Sequence, residues 1–189
     1  MFRIGTAGAI ACAAALAAGC GGGQADDPDR VREPSGDRSA GLYRSPRARA
    51  LGAAKLDLPA RAPGHPDVVG VVIDIPKAGR VATLVAMTDG ATSLYTSVGG
   101  AMIGGGEHER VARANSRLLD EAQGLLAEFR PDTSTDLPPA DAVRIFVVTP
   151  AGRRVRDVAE DDFWTKGAGP LPSIVAAAQG VMTELNRVE

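Results

Sequence analysis

Residues 67–98 read DVVGVVIDIPKAGRVATLVAMTDGATSLYTSV, and this stretch decides the fold. It contains three β-branched runs, DVVGVVIDI (67–75), VATLVAM (81–87) and TSLYTSV (92–98), divided by Lys77-Ala78-Gly79-Arg80 and by Thr88-Asp89-Gly90-Ala91. Short runs of this kind bounded by turn residues read as strands, and connections this brief join antiparallel neighbours. Pro76 is expected to stop the first strand, because it has no N–H to give to a ladder. Asp89-Gly90 marks a tight hairpin, since both residues tolerate the positive φ that its central positions need.

Toward the C-terminus, the glycine-rich loop GGAMIGGG (Gly99 to Gly106) leads into a helix on which Val111, Ala114, Leu118, Ala122, Leu125 and Phe129 recur at helical spacing. Glu107 and Glu109 suit the positive end of its dipole, and Pro131 is expected to end it. After a polar loop over 132–141, AVRIFVVT (142–149) reads as a strand, Pro150-Ala151-Gly152-Arg153 as a turn, and VRDVA (155–159) as a weaker partner. Ser173 is the expected N-cap of a last helix whose buried stripe is Ile174, Ala178, Val181 and Leu185. The order β-β-β-α-β-β-α predicts an α+β domain over residues 67–189: a five-stranded antiparallel sheet with two main helices on one face. In element order and in its Thr-Asp-Gly hairpin this domain loosely resembles the roadblock and longin group of profilin-like domains. Residues 89–108, DGATSLYTSVGGAMIGGGEH, resemble a signature in a family of uncharacterised bacterial proteins, over roughly 67–189, and that likeness implies no activity.

Toward the N-terminus, residues 51–66 form a Pro-rich approach segment, expected at the domain edge. Residues 20–50 interleave Asp26, Asp27, Asp29, Glu33 and Asp37 with Arg30, Arg32, Arg38, Arg44, Arg47 and Arg49. With little to bury, they are expected to be a flexible linker, and the basic cluster at 44–49 to be solvated. Contact of that cluster with anionic headgroups is the alternative. Residues 4–19 carry no charge and follow Arg3, the layout of a signal peptide, and are too short and Ala-rich for a membrane span. They run into LAAGC (Leu16, Ala17, Ala18, Gly19, Cys20), which resembles the lipobox of bacterial lipoproteins. The resemblance implies a signal peptide over 1–19, a lipid on the Cys20 thiol, loss of Cys12 with the peptide, and a domain tethered on the extracytoplasmic face of a cell membrane.

Composition narrows the chemistry. The 189 residues are 44% hydrophobic but only 4% aromatic, so the core is built from Val, Leu, Ile and Ala. A net charge of −2 lacks the basic footprint of a nucleic-acid binder. Cys12 and Cys20 are the only cysteines, so the folded region has neither a disulfide nor a thiolate metal site. The candidate ligand loop is Gly99, Gly100, Gly104, Gly105 and Gly106 with His108. A phosphate is excluded there, because no GKS or GKT follows, no GxGxxG can be read, and Glu107 and Glu109 put negative charge where the phosphate would sit. Tight packing is the favoured role for these glycines, and a neutral or cationic ligand the alternative.

Glu107-His108-Glu109 cannot all converge on one metal if they lie on one helix, where neighbours point about 100° apart. Ser93, Thr96 or Ser97 could be a nucleophile with His108 as base and Asp89 as orienter, although no GxSxG elbow is present. The functional expectation is a membrane-tethered, non-enzymatic domain that binds a protein or small molecule and needs no cofactor or metal. The alternatives are a small hydrolase centred on Ser97 and His108, and a cytoplasmic roadblock-like dimerisation module if the signal peptide is misread.

Overall fold

Strand β1 (Gly70–Lys77) lies in the middle of a single antiparallel sheet, hydrogen-bonded to β2 on one side and β6 on the other. The computed structural model describes residues 44, 46–53, 64–165, 167 and 169–188. Across the sheet the order is β4 (Ala101–Met102), β3 (Thr92–Thr96), β2 (Arg80–Met87), β1, β6 (Ala142–Thr149), β7 (Gly152–Ala159) and β5 (Arg130–Asp132). Four helices are described: α1 over residues 46–51, α2 (Glu109–Gly124), α3 (Glu160–Trp164) and α4 (Pro172–Leu185).

Successive side chains of a strand point to opposite faces, and in β1 both faces are covered. Val71, Ile73 and Ile75, with Leu84 and Ile145 beside them, pack against Val111 and Leu118 of α2 and Ile174, Ala178 and Val181 of α4. Val72, Val85, Phe146 and Val155 occupy the other face, in one cluster with Ala50, Leu51 and Ala53 from and beside α1. Burial on both faces explains why residues 71–75 lack the apolar–polar alternation of a half-buried strand.

The architecture is α+β with an antiparallel sheet, as the pattern implies, but it has seven strands rather than five. The two additional ones, β4 and β5, are too short to show a period and both lie at the sheet edges. Pro131, expected to end the helix, sits within β5, because an edge strand has one side on which no donor is needed. The α2 helix ends at Gly124, and Phe129 is buried from the following extended segment instead of from the helix. Pro76 does not stop β1. Its register partner Val81 turns both its N–H (to Ser97 Oγ, 3.0 Å) and its C=O (from the Ser97 N–H, 2.8 Å) toward β3, so that pair has no ladder bond for a proline to break. At the β2–β3 turn only Gly90 has positive φ (88°); Asp89 acts through its carboxylate, which accepts the Ala91 N–H at 2.9 Å. Leu171, not Ser173, precedes the first turn of α4, with Pro172 opening the helix.

The largest correction concerns the N-terminal approach. Helices do not sit on one face alone: α1 covers the face opposite α2 and α4, so the expected linker boundary at residue 50 cuts through a helix. A helix this short is not stable by itself in water. It is held by buried Leu51 and by Arg47, whose guanidinium reaches the fully buried carboxylate of Asp74 on β1. Arg47 is therefore not a solvated member of a basic cluster. Residues 64–69 are fastened separately to α2: buried His65 Nδ1 lies 2.9 Å from Asp120, and Gln123 accepts the Asp67 N–H at 2.8 Å.

Candidate functional site

The two ends of the segment 89–108 close on each other. Gly106 passes so near the hairpin that a Cβ there would stand 1.8 Å from the Gly90 carbonyl oxygen, and a Cβ on Gly105 would stand 2.3 Å from Leu185 Cδ2. Gly99, Gly100 and Gly104 have φ of 90°, 103° and 80°, conformations that L side chains rarely adopt. Among the five glycines expected to form a ligand loop, two therefore allow close packing and three allow the backbone to reverse. Behind them, Asn115 of α2 is buried and donates to Thr92 Oγ1 at 2.6 Å, while Thr92 Oγ1 donates to the Gly90 carbonyl at 3.1 Å. This brace fixes the hairpin turn against the helix.

Between the hairpin and the loop lies an open groove of about 420 Å³. Its lining includes Ser93, Tyr95, Ile103, Asp89 and Glu107, together with Gly90, Gly104 and Gly106. Ser93 is only 6% exposed, and among the described residues its hydroxyl has no hydrogen-bond partner. Glu107 makes no ion pair among the described residues, whereas Glu109 is bound to Arg113 one turn along α2. Ile103, 73% exposed, forms the outer lip.

His108 faces elsewhere. It precedes α2 in an extended conformation, its carbonyl accepts the Ala112 N–H, and its side chain makes no capping bond. With Met102, Leu185 and Val188 it lines a separate hollow on the other side of Ile103. Ser97 Oγ accepts the Val81 N–H, Thr96 Oγ1 donates to the Gly99 carbonyl, and Asp89 is engaged by Ala91. The structure thus does not bring Ser97, His108 and Asp89 together, and no hydrogen bond joins any two of them among the described residues. Glu107, His108 and Glu109 do not share one helix either: Glu107 ends a 3-10 turn, His108 is extended, and Glu109 opens α2. No group of three or more His, Cys, Asp or Glu is placed to hold a metal ion among the described residues.

A second polar constellation went unnoticed in the sequence. The register aligns Tyr95, Thr83, Asp74, Arg144 and Asp157 in one row across β3, β2, β1, β6 and β7. Arg47 lies over its centre, with Nε 3.0 Å from both Asp74 oxygens and Nη2 2.5 Å from Oδ2, and it also donates to the Thr135 carbonyl at 2.7 Å. Thr83 Oγ1 donates to Asp74 at 2.6 Å. Arg144 clasps Asp157 through two bonds of 2.7 and 2.8 Å, which hold its guanidinium above its ordinary pKa against the opposing effect of burial. The signal was a carboxylate amid VVIDI: a buried charge requires a partner, and the interleaved arginines of 30–49 concealed which one.

Cys20 and the expected signal peptide over 1–19 lie outside the described residues, as does most of the expected linker. No family model, no curated protein and no solved structure matches this chain. The functional reading therefore rests on the chain's own residues.

Proposed function

We propose that this chain is a lipid-anchored, extracytoplasmic binding domain: Cys20 holds it on a membrane, and the groove beside the glycine-rich loop takes a ligand without transforming it. The observation that carries the reading is LAAGC at 16–20 directly behind the uncharged stretch 4–19. Among the described residues no helix is long and apolar enough to cross a membrane. Binding is favoured over catalysis by how the polar groups are used. The hydroxyls of Thr96 and Ser97 serve turns and hairpins, whereas Ser93 and Glu107 are left for a guest in a groove of ligand-site size.

The test is the intact mass of the protein recovered from the membrane fraction of its host, beside a Cys20→Ser variant. The expected product has lost residues 1–19 and gained acyl chains, and the variant shows neither change. An unprocessed, soluble wild-type chain would refute the tether.

A further inference from the structure

We propose that the groove between the β2–β3 hairpin and the glycine-rich loop binds a small organic cation, an ammonium group carried on an apolar body. This rests on the reading of the groove as a binding site but does not depend on the lipid at Cys20. The contact of Gly90 with Gly106 brings the backbones of the next residues, Asp89 and Glu107, to the same groove, and among the described residues no Lys or Arg lines it. An anionic guest would meet two carboxylates there. A purely apolar guest would seal the Ser93 hydroxyl from water without giving it a partner, which costs free energy. An ammonium meets both conditions, since it is drawn to the carboxylates and its N–H groups can donate to Ser93 Oγ. The ring of half-buried Tyr95 can offer its negative face to the same charge, and Ile103 can cover the apolar remainder.

Phenethylamine and phenylacetate share a ring and differ in the sign of their charge at neutral pH, which makes them the probes. Each is titrated into the full chain, labelled with ¹⁵N and held in neutral detergent. Phenethylamine should shift the amide resonances of Gly90, Ser93, Gly104 and Gly106 saturably, and phenylacetate should not. Glu107→Gln should weaken binding about three- to fivefold, the effect of one exposed charge pair. Ser93→Ala should weaken it about tenfold while leaving the unfolding midpoint in place, because the hydroxyl has no partner among the described residues for folding to lose. Equal binding of the anion, no shifts up to about 10 mM amine, or affinity indifferent to both substitutions would overturn the proposal. Lipidated Cys20 with a silent amine titration removes this inference alone; amine binding by an unlipidated chain removes the tether alone.

Discussion

Replacing Arg47 with Met keeps the apolar stem of the side chain and deletes the guanidinium that neutralises Asp74. Asp74 has no exposed surface, and among the described residues Arg47 supplies three of the four hydrogen bonds to its carboxylate, Thr83 the fourth. Removing one member of a buried ion pair costs about 3–5 kcal/mol, because the remaining charge stays buried and uncompensated. Arg144, the register neighbour of Asp74 on β6, keeps some favourable field there, so the lower end of that range is expected. Against a total stability of about 5–15 kcal/mol, this brings the domain close to unfolding. The assay is urea denaturation of the full chain. The midpoint should fall steeply with little change in slope, and a second substitution, Asp74→Leu, made on the Arg47→Met background should recover most of the loss. An exposed linker residue would change stability by no more than about 0.5 kcal/mol. A result that small would refute the placement of α1 on the sheet.

Gly106→Ala should destabilise by about 1–3 kcal/mol, because its Cβ would meet a backbone oxygen that no rotamer change can move; thermal unfolding with amide shifts at Gly90 would show it, and an unchanged melting temperature would deny the contact. Gly180→Ala should do the opposite. Within α4 a Cβ there meets nothing within 4 Å, so the substitution should add about 0.5–1 kcal/mol and raise the calorimetric melting temperature by about 2–4 °C.

Apolar runs bounded by turn residues made β1 to β3 and β6 legible, and helical spacing did the same for α2 and α4, whose Val111, Leu118, Ile174 and Val181 are buried as the stripes require. The elements that were missed are those whose existence is decided elsewhere in the chain. β5 is three residues containing a proline, and it pairs only because β7 has an open side. The α1 helix has no period to read; what places it is one arginine matching one buried aspartate 27 positions away. At the candidate site, the glycine-rich loop, Asp89 and Glu107 could be found from sequence, and their convergence could not. It depends on Gly106 passing against Gly90, a packing event without any local signature.

Exposed strand edges are the usual route by which encounters between copies of a folded protein lead to fibrils. Here one margin of the sheet is the two-residue strand beside the glycines and the other is the strand containing Pro131. Neither of these short strands offers enough regularly spaced donors and acceptors to template a foreign strand, which leaves the end of β7 that runs past β5 as the longer stretch of open edge.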